Sequence, residues 1–114
     1  MHTSSGLKPR AMERVMAHIE DNIGENLNLG TLASIACVSK FHFVRMFRRS
    51  TGHSPMAFVL RRRIELARLA LEGRETTLAS VAAELGFYDQ SHFTRSFRRH
   101  TGFTPGKYQP LTCR

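Results

Sequence analysis

Two arginine-rich segments of the chain carry residue types that bind an extended anion. The pattern His-Phe-x-Arg-x-Phe-Arg-Arg-x-Thr-Gly-x-x-Pro occurs at 42–55 and again at 92–105, and nine of its fourteen positions are identical in the two copies. Guanidinium groups donate paired hydrogen bonds to phosphate oxygens and to the edge of guanine. A duplication kept only for packing would explain the phenylalanines. It would not explain the arginines, because a core has no use for them. The repeat therefore predicts two contacts with one extended ligand.

The positive charge of the chain is concentrated around this repeat. The 114 residues include 17 Lys plus Arg and nine Asp plus Glu, which gives a formal net charge of +8. Seven basic residues and no acid lie between 40 and 63, and five basic residues and no acid lie between 90 and 114. This distribution favours a nucleic acid or another anionic surface as the partner. The length suits one domain, or two small lobes.

The composition also predicts several absences. No apolar run reaches membrane-spanning length and no secretory signal is evident, so we expect no membrane partner. Cys37 and Cys113 make no disulfide framework, which favours a reducing cytosol. The histidines and cysteines have no zinc-site spacing, and no phosphate-binding loop or nucleophile elbow occurs. We therefore expect no metal, no cofactor and no catalytic residues.

The elements that must position the arginines are helices. Apolar residues recur at helical spacing along the chain, and strand signals are nearly absent. We predict an all-α fold of seven helices, with two helix-turn-helix lobes at 9–53 and 74–110 joined by a long central helix at 54–73. Residues 1–8 are predicted as a disordered lead-in or a remnant of cloning, and 111–114 as a tail. The predicted helix starts are Pro9, Asn28, Ser39, Ser54-Pro55, Thr77, Asp89 and Thr104-Pro105.

The two lobes can be aligned in two registers. Matching Thr31-Leu32-Ala33-Ser34 to Thr77-Leu78-Ala79-Ser80 requires a four-residue insertion between the paired helices. Shifting by three residues pairs the caps Asn28 and Thr77 and leaves one inserted residue. Because a helix-turn-helix unit needs a tight turn, we prefer the second register.

Helical spacing divides the second helix of each lobe (about 40–50 and 90–100) into two faces. Phenylalanines form the inward face, as Phe43 and Phe47 and again as Phe93 and Phe97. On the outward face, arginine suits guanine, glutamine suits adenine, and threonine or valine suits the thymine methyl group. The candidate base contacts are Lys40, Phe41, Val44, Arg45, Gln90, Ser91, Thr94 and Arg95. The candidate phosphate contacts are Ser39, Arg48, Arg49, His92, Arg98 and Arg99.

Three predictions have alternatives that the residues leave open. His42 and His92 are expected to cap, to pack or to contact phosphate. Arg61, Arg62 and Arg63 could touch phosphate, form a solvated face or pair with Glu65. The outward faces predict sequence-specific binding to double-stranded DNA. A low-specificity architectural nucleic-acid binder remains the alternative function, because a net charge of +8 alone would support it.

The C-terminal copy carries a longer signature: Leu85-Gly86-Phe87, then Gln90-Ser91-His92-Phe93-Thr94-Arg95-Ser96-Phe97-Arg98-Arg99, Gly102-Phe103-Thr104-Pro105 and Tyr108. With it, the chain from about 9 to 108 resembles the DNA-binding domain of AraC/XylS-type bacterial transcription regulators. The resemblance implies double-stranded DNA as the partner and a cytoplasmic, nucleoid-associated location. It places base contacts on Phe41, Val44 and Arg45, and on Gln90, Ser91, Thr94 and Arg95. Small members often have Trp at the position of Phe41 and a polar residue at that of Val44, so the base preference of the first lobe does not transfer.

The same resemblance implies further partners. Regulators of this type act with RNA polymerase, and the larger ones carry this domain behind an effector-binding and dimerising domain.

One lobe per major groove requires recognition helices ~34 Å apart. A central helix of about 25 Å, with some DNA bending, makes that reach plausible. Because the outward residues of the two lobes differ, we expect an asymmetric DNA site.

Overall fold

The computed structural model describes residues 6–73 and 75–110. Over these residues the fold is all-α, without a β-strand, as predicted. Its helices are α1 (Pro9–Asp21), α2 (Leu29–Ile35), α3 (Lys40–Thr51), α4 (Pro55–Gly73), α5 (Leu78–Glu84) and α6 (Gln90–Thr101), followed by a 3₁₀ helix at Pro105–Tyr108. Residues 1–5 of the predicted lead-in lie outside the described residues, and so does the predicted tail at 111–114, which includes Cys113.

The prediction of seven helices needs one correction, which concerns the last segment. Within 6–73 and 75–110, six helices are α-helices, whereas the four residues after Thr104 form a short 3₁₀ turn. Its backbone bonds span three residues, from the Lys107 N–H to the Thr104 carbonyl (3.1 Å) and from the Gln109 N–H to the Gly106 carbonyl (3.2 Å). A segment that begins with Pro105 and Gly106 and ends after four residues has no room for a continuing α-helical ladder.

The chain divides into two compact units, Met1–Leu60 and Arg61–Arg114, and the division falls inside α4. The predicted domain limits at 53/54 and 73/74 stay a prediction.

The first unit packs α1, α2, α3 and the start of α4 around two phenylalanines. Phe43 and Phe47 are fully buried, and the Phe47 ring meets Phe58 of α4 at a centroid distance of 5.4 Å. Leu7, inside the segment predicted as a lead-in, is buried with this core, and its N–H donates to Ser50 Oγ (2.9 Å). The inward face predicted for α3 is confirmed.

The second unit repeats this arrangement with the end of α4, α5, α6 and the 3₁₀ helix. Phe93 and Phe97 are fully buried. The ring of Phe93 lies 4.9 Å from Phe87, and that of Phe97 lies 5.4 Å from Tyr108. The Gln109 side chain donates to the Thr76 carbonyl (2.9 Å), which links the end of the described chain to the segment between α4 and α5. These contacts hold α6 against its unit with the opposite face outward.

The turn after the first helix of each motif decides the register. Cys37 (φ 60°) and Gly86 (φ 81°) both adopt the left-handed conformation. In each turn the next residue's N–H reaches back five residues, from Val38 to the Ala33 carbonyl (3.1 Å) and from Phe87 to the Ala82 carbonyl (3.0 Å). This is the Schellman arrangement, and it aligns Cys37 with Gly86. The preferred register is therefore confirmed, and the repeated Thr-Leu-Ala-Ser string is a coincidence.

Candidate nucleic-acid interface

The two recognition helices, α3 and α6, begin and end in the same way. The His42 N–H donates to Ser39 Oγ (3.2 Å), and the His92 N–H donates to the Asp89 carboxylate (2.7 Å). Both helices have 12 residues, and both are followed by a left-handed glycine. Such caps satisfy amides that would otherwise lack partners at the helix start. Equivalent outward residues therefore stand at equivalent places on the two helices.

The outward face of α3 is partly aromatic. Phe41 is 75% exposed, and the Arg45 guanidinium carbon lies 5.6 Å from the centroid of its ring. This cation–π contact joins two predicted base contacts one helical turn apart. Val44 is half-buried beside them. The face presents an aromatic ring and one cation held near it.

Lys40, the remaining base contact predicted in α3, lies apart from Phe41 and Arg45. Together with Val38 it lines an open depression of about 570 Å³ whose other walls belong to α2 and its cap Asn28. A Cβ atom added at Gly30 would lie 3.8 Å from Lys40 Cε. The lysine stem therefore leans over α2, and the structure does not bring it together with Phe41 and Arg45.

The outward face of α6 brings its predicted base contacts together. One open depression of about 450 Å³ is lined by Gln90, Ser91, Thr94 and Arg95. Thr94 is half-buried, and the other three are exposed. These side chains offer an amide, two hydroxyls and a guanidinium, which can donate to or accept from base edges.

The arginines of the two helices form an exposed basic surface. All six are exposed, and none forms an ion pair within 6–73 and 75–110. They are Arg45, Arg48, Arg49, Arg95, Arg98 and Arg99. Ser39, the other predicted phosphate contact of α3, is also exposed. Guanidinium groups without an acidic partner leave their donors available to an anionic ligand.

Histidines at equivalent places differ in their surroundings. His42 is exposed, whereas His92 is half-buried, with its ring centroid 5.7 Å from that of Phe87. Nδ1 of His92 is buried, with no hydrogen-bond partner in the described part of the chain. Of the predicted roles, His92 shows packing, and its phosphate contact stays a prediction.

The three consecutive arginines of α4 are not equivalent. Arg62 Nη1 pairs with Glu65 Oε1 at 2.6 Å, which was one of the predicted alternatives. Arg63 is half-buried, and desolvation lowers its pKa from the ordinary value. Arg61 is exposed.

Comparison with known proteins identifies the family. A family model described as a helix-turn-helix domain matches residues 32–110. The regulatory protein SoxS of Escherichia coli (strain K12) is 31% identical over 100 residues, which cover 88% of this chain and 94% of SoxS. The chain belongs to the AraC family of transcription regulators. This is a family of DNA-binding domains, not of enzymes.

Other AraC-family relatives are longer than this chain. XylDLEGF operon transcriptional activator 2 of Pseudomonas putida is 35% identical over 78 residues, which cover 66% of this chain and 50% of that protein. The chain covers 37% of LumQ of Photobacterium leiognathi. It therefore spans half or less of the length of these two relatives.

Solved structures share the fold. An AraC-type transcriptional regulator from Chromobacterium violaceum has a TM-score of 0.81 at 25% identity, covering 88% of this chain and 89% of that one. The DNA-binding domain of AdpA, in complex with a target DNA, has a TM-score of 0.80 at 31% identity, covering 86% and 87%.

Membrane-spanning helices and metal-binding clusters are both absent from the described residues. In the described ranges, no helix is long and apolar enough to cross a bilayer. Nor do three or more His, Cys, Asp or Glu residues gather there as a metal site would require.

One exposed aromatic residue next to α6 is not among the predicted contacts. Tyr88, directly before the cap Asp89, is 90% exposed. The preferred register contains the signal that could have found it, since that register leaves one inserted residue in the second unit.

Proposed function

We propose that the chain binds double-stranded DNA sequence-specifically, with α3 and α6 entering successive major grooves of one asymmetric site. The observation that carries the proposal is the set of six exposed arginines, unpaired within the described residues, on two helices of equal length and equal capping. The AdpA domain, a structural relative, has been solved with a target DNA. Cationic side chains on a recognition helix supply both phosphate anchoring and base contacts.

Within the second unit, Arg95 and Gln90 are the proposed base-specific residues. Arg95 can donate two hydrogen bonds to guanine, and Gln90 can bond adenine in the same bidentate way. Ser91 and Thr94 share their depression, so one short run of base pairs would meet all four side chains. Arg98 and Arg99, further along α6, are assigned to phosphates.

Within the first unit, the proposed base-contacting residues are Phe41, Val44 and Arg45. Phe41 and Val44 offer apolar surface to a thymine methyl group, and Arg45 offers its guanidinium to guanine. Lys40 leans over α2, a position better suited to a phosphate than to a base. Since these side chains differ from Ser91 and Thr94, the two halves of the DNA site should differ.

Regulation of transcription in the cytoplasm is the proposed context. Several relatives are named as transcriptional activators or regulators, and the chain spans only part of their length. By family resemblance the proposal includes RNA polymerase as a partner. It also includes an N-terminal effector-binding and dimerising domain, of the kind that larger members carry.

The test is the ratio of two affinities at one salt concentration. Fluorescence anisotropy would compare a duplex selected by the chain from a random pool with a random duplex of equal length. Sequence-specific binding predicts a ratio of about a thousand or more. An architectural binder held by charge alone would bind both duplexes nearly equally, and that result would refute the proposal.

A further inference from the structure

Tyr88 is the one residue by which the turn of the second unit exceeds that of the first. The left-handed residues Cys37 and Gly86 align at an offset of 49, whereas the caps Ser39 and Asp89 align at an offset of 50. Val38 and Phe87 both follow the left-handed residue, so the additional residue is Tyr88. Because the first unit closes the same turn without such a residue, packing does not require Tyr88.

The exposure of Tyr88 is unusual for its residue type. It is 90% exposed, the highest value among the large apolar side chains of the described ranges. Its neighbour Phe87 is 7% exposed and packs against Phe93. The turn thus buries one aromatic ring and leaves the next one in solvent, at the end of α6 that is proposed to enter the groove.

The two helix caps differ in a way that gives this tyrosine a role. In the first unit the cap is Ser39, whose hydroxyl accepts from His42 N–H and still carries a proton to donate. In the second unit the cap is Asp89, a carboxylate that accepts from His92 N–H and has no proton to donate to a phosphate. The second unit therefore lacks the neutral donor that the first unit has at this point, and it carries a phenol one residue earlier.

Building on the proposed function, we infer that Tyr88 is a DNA-backbone contact of the second unit alone. Its hydroxyl donates a hydrogen bond to a phosphate oxygen beside the start of α6, and its ring lies against the adjoining sugar. Tyrosine is among the side chains that position proteins on duplex DNA through such contacts. The contact displaces no counterion, because the phenol is uncharged, so it should not contribute to the salt dependence of binding.

Two substitutions separate the hydroxyl from the ring. Tyr88→Phe removes only the donor, and Tyr88→Ala removes the ring as well. We expect Tyr88→Phe to weaken binding by about tenfold or more, which is the scale of a hydrogen bond to a charged acceptor, and Tyr88→Ala to weaken it further. The loss should be similar for the selected duplex and for a random duplex, and the slope of log Kd against log salt should stay that of the wild type.

Leu69→Ala is the matched control. Leu69 is a large exposed side chain on α4, outside the proposed site, and it should leave DNA binding unchanged. The melting temperatures of the Tyr88 variants should match that of the wild type, since the side chain is exposed. If Tyr88→Ala loses stability, Tyr88→Phe still tests the hydroxyl.

An Arg95→Ala arm distinguishes the two possible failures. If Arg95→Ala lowers the preference for the selected duplex while both Tyr88 variants bind like the wild type, the inference is overturned and the proposed function stands. If Tyr88→Phe binds like the wild type and only Tyr88→Ala is weaker, the hydroxyl contact is overturned. If the wild type shows no preference for any duplex, the proposed function itself fails.

Discussion

Removing the charge of one recognition-helix cap and adding a charge to the other should change DNA affinity in opposite directions. Ser39 and Asp89 are both exposed, and each accepts the N–H of the residue three positions later. Asp89→Asn keeps a good cap and removes a negative charge, whereas Ser39→Asp keeps a good cap and adds one. Ser, Asn and Asp cap helices almost equally well, so neither change should alter the free energy of unfolding by more than about 0.5 kcal/mol.

The expected magnitude follows from the exposure of both sites. For an exposed carboxylate roughly 7 Å from a phosphate, the Coulomb energy in water is about 0.6 kcal/mol, and salt screens the more distant phosphates. Removing the charge of Asp89 should therefore tighten binding by about 0.5–1 kcal/mol, or two- to fivefold. Ser39→Asp should weaken it by about 1–2 kcal/mol, because the added repulsion is joined by the loss of a hydroxyl donor.

The assay is a titration of labelled duplexes, selected and random, at fixed ionic strength. Both variants should shift the affinity for the two duplexes alike, since phosphates are common to all sequences. Ser39→Asn serves as the uncharged control for the first unit. Unchanged affinity in Asp89→Asn would mean that the start of α6 does not approach the DNA backbone, and the placement of α6 in a groove would then be wrong.

Three other predictions test separate parts of the account. Arg45→Ala and Arg95→Ala should each cost about 1–3 kcal/mol of binding and relax the preference at one base position, as measured by competition with single-base variants of the site; an unchanged preference would exclude base contact. Arg99→Ala should weaken all duplexes alike and reduce the slope of log Kd against log salt by about 0.9; a loss confined to the selected duplex would indicate base contact instead. In urea unfolding, Cys37→Gly should stabilise the fold by about 0.5–1 kcal/mol and Gly86→Ala should destabilise it by a similar amount, since a side chain at positive φ is strained; the same sign at both positions would contradict the alignment of the two turns.

Local chemistry made much of the fold predictable from the sequence. The caps Asn28, Ser39, Thr77 and Asp89 all accept the N–H three residues ahead, as their residue types indicate. The inward phenylalanines follow from helical spacing alone. The correct register followed from the length of the turn, a constraint that outweighs a literal four-residue match such as the one beginning at Thr31.

Contacts between elements determine three features of the site that the sequence alone did not predict. The direction of the Lys40 side chain depends on the neighbouring helix α2, since the lysine stem leans over it beside Gly30. The contrast between exposed His42 and half-buried His92 arises because Phe87 stands beside the second ring. Exposure of Tyr88 likewise depends on which of two adjacent aromatic residues the core accepts, and spacing alone does not specify that choice.

Selection of binding sites from a random DNA pool would show whether α3 and α6 contact one asymmetric site. We expect one enriched site with two short conserved segments, about one helical turn apart and different in sequence. Phe41 and Val44 would face one segment, and Ser91 and Thr94 the other. Repeating the selection with Arg95→Ala should relax a position in one segment only. A palindromic site, or no enrichment over the starting pool, would contradict the claim that two unlike recognition helices contact one asymmetric site.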